Sequence, residues 1–199
     1  MAQKYQVARS TVAKALRLED FGFEKNPDVA PAPIGELRNP VWVSEGHPAV
    51  LIGASGTGKS HLLTGIGTTV AEAGLAAPYS TTSAPVNGFA GGNAAKRLSG
   101  VIFGYGQVDL LGLDEFGCLN LAKTGSKLLF QIFIEREERK ATAAASHTSL
   151  STWDKTFTGP RLYAAIADRL TDEETPIQTG TASYRLKAAE YEYWSARRS

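Results

Sequence analysis

The sequence has a single cysteine and almost no net charge. Among its 199 residues, Lys+Arg 21 nearly balance Asp+Glu 20, which leaves a formal net charge of +1. One cysteine excludes an internal disulfide framework and fits a reducing compartment. The near-zero charge also excludes the global positive field that attracts nucleic acid to strongly basic proteins.

Long apolar runs are missing as well. No stretch approaches the roughly 18 apolar residues of a membrane span, and residues 1–9 lack the apolar core of a signal peptide. We therefore expect a soluble, cytoplasmic protein with no membrane contact. The composition, 43% hydrophobic and 21% charged, is typical of a globular chain and excludes disorder for most of it.

The pattern of the sequence changes near residue 40. Residues 1–18 hold four basic residues and no acid, with apolar residues near helical spacing, which predicts a short basic helix. Its charged face is either solvated or in contact with DNA or a partner protein. Residues 26–40 hold four prolines and predict a linker or wrapping loop without a helix or strand. We predict a basic helix and linker at 1–40, the main domain at 41–190 and a tail at 191–199.

Within the main domain, short apolar runs alternate with helical patterns. The predicted strands are 41–43, 49–52, 79–82, 108–113 and 141–146. The predicted helices are 61–73, 126–140 and 161–170. Pro78 places the strand at 79–82 on a sheet edge, because proline has no backbone N–H to donate. Strands that alternate with helices predict an α/β fold with a central parallel sheet flanked by helices.

A phosphate-binding loop is the clearest motif. Residues 53–60 match G-x-x-x-x-G-K-[ST] at every fixed position and lie between a predicted strand and a predicted helix. Glycines permit backbone conformations in which successive N–H groups turn inward and cradle anionic oxygens, and the following helix adds the positive end of its dipole. The predicted nucleotide-binding residues of this segment are Gly53, Ala54, Ser55, Gly56, Thr57, Gly58, Lys59, Ser60 and His61.

Two acidic residues supply the second half of the predicted site. Lys59 supplies a charge for the β- and γ-phosphates, and Ser60 a hydroxyl for Mg²⁺. Asp114 and Glu115 follow the predicted strand at 108–113, and ligands of open α/β sheets bind at that end of the strands. Asp114 is expected to hold Mg²⁺ through water, and Glu115 to act as general base toward the attacking water. Two adjacent acids favour ATP hydrolysis over binding alone.

Three more residues are candidates for sensing the nucleotide. His147 follows the predicted strand at 141–146, where it either reaches the γ-phosphate or lies in a surface turn. Arg169, at the end of a predicted helix, is suited to transition-state charge because its planar guanidinium stays ionised, although a structural ion pair is equally compatible with its position. Arg185 is a second such candidate.

The order and spacing of these motifs resemble the IstB-type proteins, the ATP-binding helper subunits of insertion-sequence transposition. These are AAA+ ATPases, similar to the DnaC and DnaI helicase loaders. The resemblance covers residues 18–186. It rests on LEDFGF at 18–23, IGASGTGKSHLL at 52–63, DLLGLDEFG at 109–117, LFQI at 129–132, STW at 151–153, AAIADRLT at 164–171 and TGTASYRL at 179–186.

The resemblance implies an AAA+ P-loop domain with a short N-terminal helical extension. It implies ATP and Mg²⁺ as ligands, nucleotide-dependent homo-oligomers, binding to double-stranded DNA and delivery of a transposase. By this match Arg169 looks like the arginine finger that reaches the ATP of a neighbouring subunit. Arg185 looks like the sensor II arginine, which contacts the γ-phosphate of its own subunit.

The sequence departs from the family pattern in two regions, and two alternatives stay open. His147 stands where the family usually has asparagine, after an alanine-rich strand at 141–146. The helix expected after the second strand is interrupted by Pro85, Gly88, Gly91 and Gly92. One alternative is a DnaC-like replicative helicase loader or adaptor, and the other is a degenerate copy that binds ATP with little hydrolysis.

Overall fold

A five-stranded parallel sheet forms the centre of the protein. The computed structural model describes residues 16–83, 94–117, 123–136, 140–155, 157, 160–171, 176–184 and 186. The strands are β1 (Ala49–Ile52), β2 (Tyr79–Thr81), β3 (Leu110–Asp114), β4 (Ala141–Ser146) and β5 (Ile177–Gln178). Their order across the sheet is β2-β3-β4-β1-β5, and every neighbouring pair is parallel. The predicted fold class is confirmed.

Six α-helices and three 3₁₀ turns accompany the sheet in the described part of the chain. The helices are α1 (Pro31–Glu36), α2 (Val41–Glu45), α3 (Lys59–Glu72), α4 (Ala94–Gly106), α5 (Lys123–Arg136) and α6 (Pro160–Thr171). The 3₁₀ turns are Leu18–Asp20, Phe23–Lys25 and Leu150–Lys155. Among the described residues, no helix is both long enough and apolar enough to cross a membrane.

The three central strands, β1, β3 and β4, are buried along their whole length, which explains why they are largely apolar. Successive side chains of a strand point to opposite faces. Leu51 therefore packs in the cluster with Leu62 and Ile66 of α3, whereas Val50 packs in the cluster with Ile132 of α5 and Ile166 of α6. The two faces are thus covered by different helices, and the ends of the strands are left to form a site.

The segment before residue 40 packs into the cluster on the α3 side. Leu18 and Ile34 are fully buried there. A Cβ at Gly65 would lie 2.9 Å from the Leu18 backbone nitrogen, so this glycine of α3 allows the segment to approach closely. The domain boundary at residue 40 stays a prediction, and side chains on both sides of it share one core.

Two local predictions before residue 46 are wrong. The loop predicted at 26–40 contains α1, which begins with prolines in its first turn, where the fixed φ of proline favours a helix. The strand predicted at 41–43 is instead α2. The Asn39 side chain accepts the Val41 N–H at 3.2 Å, and Gly46 ends the helix with a φ of 81°. A three-residue apolar run fits either element, and here the flanking residues decide for the helix.

The other elements predicted after residue 46 are confirmed, most of them with shifted ends. The strand at 49–52 keeps its predicted bounds, and β2 lies at the sheet edge as predicted. Gly74, predicted as the stop signal of the helix at 61–73, lies two residues after the end of α3 and has a φ of 88°. Helix α4 and strand β5 were not predicted. The predicted helix within 1–18 falls almost wholly in 1–15, outside the described residues, as do Pro85, Gly88, Gly91, Gly92 and the tail at 191–199.

Candidate nucleotide-binding site

The loop between β1 and α3 has the conformation expected of a phosphate-binding loop. Gly56 and Gly58 have φ values of 82° and 94°, a region that side chains other than glycine rarely adopt. Gly53 is required for a different reason, since a Cβ there would lie 2.2 Å from Thr179 Oγ1. The N-terminus of α3 follows at Lys59, so the positive end of its dipole faces the loop.

The ammonium group of Lys59 is hydrogen-bonded to the backbone of the loop. The side chain is 8% exposed, and Nζ donates to the carbonyl oxygens of Gly53 at 2.8 Å and Ala54 at 2.7 Å. A lysine in this position brings a full positive charge to the concave side of the loop. Phosphate oxygens carry more negative charge than carbonyls and would compete for the same ammonium.

Side chains far away in sequence hold the loop in place. Asn26 is buried, and its Nδ2 donates to the carbonyl oxygens of Thr57 at 2.7 Å and Thr179 at 3.1 Å. The Thr57 and Thr179 hydroxyls lie 2.7 Å apart. The Ala54 N–H donates to the Gly180 carbonyl at 2.9 Å. The loop is therefore fixed between the N-terminal segment and the chain after β5.

Sequence analysis did not find Asn26 or Thr179. They lie 31 and 122 positions from Thr57. Thr179 begins the stretch at 179–186 that resembles the family, but that stretch gave no indication of a contact with the loop. An asparagine within a proline-rich stretch gave no signal of a buried role.

The acidic pair lies at the carboxyl end of β3. Asp114 is 7% exposed, and its two carboxylate oxygens accept the Glu115 N–H at 2.8 Å and the Tyr79 hydroxyl at 2.5 Å. Thr82 fixes the Asp114 backbone carbonyl through its N–H and its hydroxyl, at 2.9 and 2.8 Å. Glu115 is exposed and has a φ of 56°. Glu115 is thus open to solvent, whereas the carboxylate and the backbone carbonyl of Asp114 are both hydrogen-bonded.

One strand separates β1, which precedes the loop, from β3, which carries the acidic pair. β4 lies between β1 and β3, and its Ser146 pairs in register with Ile52. The Gly53 N–H donates to the Ser146 carbonyl at 3.2 Å. His147, which follows Ser146 and is exposed, therefore lies at the same sheet edge, between the loop and Asp114.

Tyr79 is a further residue of this edge that sequence analysis did not find. Burial raises the pKa of its phenol, and the hydrogen bond to Asp114 and the charges of Asp114 and Glu115 raise it further, while a side-chain hydrogen bond with Ser60 opposes them. The phenol therefore stays protonated at neutral pH and donates a hydrogen bond to the Asp114 carboxylate.

The residues expected to hold Mg²⁺ lie at the start of α3 and at the carboxyl end of β3. The Tyr79 hydroxyl donates to the Asp114 carboxylate, and Ser60 is near enough to influence the pKa of the same phenol. Mg²⁺ prefers oxygen ligands and is usually held by one or two carboxylates together with substrate phosphates and water. The hydroxyl of Ser60 and the carboxylate of Asp114 fit this ion.

A cavity of about 260 Å³ opens beside the loop. Its lining residues come from the N-terminal segment, the loop, the start of α3 and the chain after β5, namely Asp20, Phe21, Gly22, Lys25, Asn26, Thr57, Gly58, His61 and Tyr184. The Tyr184 N–H donates to the Gly56 carbonyl at 3.0 Å. Two aromatic rings beside a phosphate-binding loop form a wall suited to a flat base.

Of the remaining predicted residues, His61 lines this cavity, Arg169 packs on α5, and a third lies outside the described residues. The His61 ring packs edge-on against Phe21 at 5.6 Å, and its Nε2 lies 3.2 Å from the Arg17 carbonyl oxygen. Arg169 donates from Nη1 to the Ala165 carbonyl at 3.0 Å, and its guanidinium lies 5.9 Å from the centre of the Phe130 ring. Arg185 falls outside the described residues.

The sequence matches one protein family over nearly its whole length. The profile of the family described as IstB-like ATP binding protein matches residues 2–191. An insertion sequence IS232 ATP-binding protein of Bacillus thuringiensis subsp. berliner is 28% identical, over 85% of this chain and 68% of the relative. An insertion sequence ATP-binding protein of Sinorhizobium fredii is 27% identical, over 86% of this chain and 58% of the relative.

Solved structures share the fold at low sequence identity. The DnaI structure superposes with a TM-score of 0.67 at 16% identity, over 89% of this chain and 94% of that chain. The structure of the DnaC helicase loader gives a TM-score of 0.52 at 19% identity, over 75% of this chain and 86% of that chain. At such identities the likeness concerns the fold of the P-loop domain.

Proposed function

Because the chain belongs to the IstB-like ATP-binding protein family, we propose that it hydrolyses ATP at the sheet edge formed by the loop at 53–60 and the acidic pair. One observation carries the proposal. Lys59 places its charge on the concave side of the loop, while hydrogen bonds hold the Asp114 carboxylate at the end of β3. One edge of the sheet thus offers a positive charge for a phosphate chain and a carboxylate for the metal ion bound to it.

Binding is assigned to the loop and the groups around it. The backbone N–H groups of 53–60 and the N-terminus of α3 bind the phosphates. Lys59 exchanges the carbonyls of Gly53 and Ala54 for phosphate oxygens. The cavity lined by Phe21 and Tyr184 receives the base. Ser60 and Asp114 would hold Mg²⁺, which when bound offsets negative charge on the phosphates.

Hydrolysis is assigned to Glu115 and to residues that act on the terminal phosphate. Glu115 is exposed beside Asp114 and takes a proton from the attacking water as general base. His147 lies at the sheet edge between the loop and Asp114, where it can donate to the γ-phosphate. Arg169 serves a neighbouring subunit as arginine finger, and Arg185 acts as the sensor II arginine of its own subunit.

The proposed biological role follows from the family. Both relatives are named as insertion sequence ATP-binding proteins, so we assign this chain to the delivery of a transposase to double-stranded DNA, controlled by the bound nucleotide. The chain spans 68% and 58% of these relatives. DNA contact would involve the basic residues of both chain ends, Lys4, Arg9, Lys14, Arg17, Arg197 and Arg198.

Steady-state ATP hydrolysis with and without duplex DNA tests the proposal. Wild-type turnover is expected to rise with duplex DNA and to disappear in Lys59→Ala. Glu115→Gln should keep ATP binding and lose about 100-fold or more in turnover, the size of a general-base contribution. Wild-type turnover no higher than that of Glu115→Gln, with ATP binding intact, would contradict hydrolysis and favour a degenerate copy. Preference for single-stranded DNA or a helicase subunit would favour a loader role.

A further inference from the structure

The Tyr79 hydroxyl binds the carboxylate that the proposed function assigns to Mg²⁺. Tyr79 lies on the edge strand β2, which pairs with β3 so that Thr81 is in register with Asp114. Its hydroxyl donates to Asp114 Oδ2 at 2.5 Å, and the Glu115 N–H donates to Oδ1 at 2.8 Å. Both carboxylate oxygens therefore accept a hydrogen bond from a neighbouring strand or residue.

These two hydrogen bonds fix the carboxylate without saturating it. An ionised carboxylate offers about four lone-pair positions, so one remains on each oxygen. A carboxylate held at both oxygens keeps one orientation. Hydrogen bonds of this kind to a metal ligand typically change metal affinity by about 10- to 100-fold.

Tyr79 makes its specific contact through the hydroxyl and not through the ring. The side chain is 48% exposed, so the ring contributes little to the core. The hydroxyl donates to the Asp114 carboxylate at 2.5 Å. The one polar side-chain atom of this exposed residue is therefore bound to a group assigned to Mg²⁺.

We propose that Tyr79 is a positioning residue for Mg²⁺, whose hydroxyl holds Asp114 in the orientation that binds the metal. The inference rests on the proposed function, in which Ser60 and Asp114 hold the ion. It predicts that the hydroxyl affects the affinity for Mg²⁺ and does not affect the affinity for the nucleotide without metal.

Binding of a fluorescent ATP analogue, titrated with Mg²⁺ and repeated in EDTA, tests this with Tyr79→Phe. The Mg²⁺ concentration for half-maximal effect should rise about tenfold or more, while affinity in EDTA and the thermal midpoint stay at wild-type values. Tyr163→Phe is the matched control, because the Tyr163 hydroxyl also donates one hydrogen bond, to the Leu150 carbonyl at 3.2 Å. It should leave the Mg²⁺ titration unchanged.

A second variant separates a metal role from a general one. Asp114→Asn should abolish most of the Mg²⁺ dependence, and Tyr79→Phe added to it should change nothing further, because the two act as one unit. An additional loss in the double variant would contradict the proposal.

The outcomes also separate this inference from the proposed function. An unchanged Mg²⁺ titration in Tyr79→Phe, or tighter Mg²⁺ binding because the hydroxyl competes with the ion, overturns the role of Tyr79 alone. Wild-type protein that binds no ATP analogue in either condition contradicts the proposed function and the metal role of Tyr79 with it.

Discussion

Glu115 holds a backbone conformation that is costly for any residue except glycine. Its φ is 56°, in the left-handed region, which costs an ordinary residue roughly 1–2 kcal/mol. Among the described residues it is the one non-glycine with positive φ. A charged side chain at a position where glycine is preferred indicates that the side chain serves a function, and that function is catalysis in our proposal.

Replacing Glu115 by glycine and by alanine separates the backbone from the side chain. Both variants should lose the turnover that a general base supports. Glu115→Gly should be more stable than Glu115→Ala by about 1 kcal/mol, because only glycine adopts this φ without cost. Urea unfolding measures the difference. Equal stability of the two variants would show that the residue relaxes out of the left-handed region and carries no such strain.

At the scale of residues, contiguous motifs could be predicted from the sequence and long-range contacts could not. The loop at 53–60 and the pair Asp114–Glu115 are recognisable because their chemistry is local in sequence. Asn26 donates to residues 31 and 153 positions away, and Tyr79 to a residue 35 positions away. Such a partner is set by how the strands are ordered and packed, which one sequence does not show.

At the scale of secondary structure, Arg136 joins four elements at the end of the sheet opposite the site. It lies at the end of α5 and is 2% exposed. Its guanidinium donates to the carbonyls of Tyr105, Val108 and Ala141 and to the Thr142 hydroxyl. Burial lowers the pKa of Arg136 to about 10, so it stays charged at neutral pH. The cation replaces water as donor to carbonyls at the starts of β3 and β4.

Arg136→Met is therefore expected to destabilise the fold. It leaves several buried carbonyls without a donor, and we expect a loss of about 2–4 kcal/mol in the free energy of unfolding. Arg136→Lys should recover only part of it, because an ammonium cannot reproduce the planar fork. Urea unfolding of the three proteins tests this. A methionine variant as stable as wild type would show that water satisfies these carbonyls.

Because of the neighbouring pair Asp109 and Lys140, the stability of the fold is expected to fall at acidic pH. Burial alone would raise the pKa of Asp109, but hydrogen bonds from Lys140 at 2.6 Å and from the Ala76 N–H, with the charge of Arg136, lower it below its ordinary value. A carboxyl with a lowered pKa stabilises the fold above its unfolded pKa, and this contribution is lost as the pH falls through the folded pKa.

Asp109→Asn should accordingly be less stable than wild type near pH 6, and the gap should shrink as the pH falls below about 4, the ordinary pKa range of aspartate. Urea unfolding between these pH values gives the comparison. Lys140→Met should show a similar loss, and combining the two variants should cost less than the sum of both. A gap that widens toward acid would contradict the lowered pKa of Asp109.

Secondary structure was predictable where the apolar pattern was long enough to be specific. Strand β1 and helix α3 flank a motif that requires both, and the buried residues of α5, such as Leu128 and Ile132, recur at helical spacing. The run at 41–43 was too short for its period to be read, and Asn39 and Gly46 made it a helix. Strand β5 has two residues, and its pairing with β1 is set by the sheet rather than by its own sequence.

At the scale of the whole molecule, our proposal requires a second copy of the chain to complete the site. Arg169 of α6 donates to the Ala165 carbonyl of the same helix, and its guanidinium lies 5.9 Å from the centre of the Phe130 ring of α5. The resemblance assigns it to the ATP of a neighbouring subunit. A finger that acts across subunits requires a head-to-tail interface, in which each subunit gives one half of a site to the next.

Mixing inactive variants tests this arrangement directly. Arg169→Ala should bind ATP normally and lose about 1000-fold in turnover, as arginine fingers do, whereas Glu115→Gln is inactive but keeps its arginine. In mixed oligomers some sites combine the intact loop of one variant with the Arg169 of the other, so random association should restore up to about a quarter of wild-type turnover.

Mixing Lys59→Ala with Glu115→Gln is the matched control. Both changes fall in the same half of the site, so no combination is complete and no activity should return. Failure of Arg169→Ala and Glu115→Gln to complement each other, while light scattering shows that they associate with ATP, would place Arg169 in the site of its own subunit.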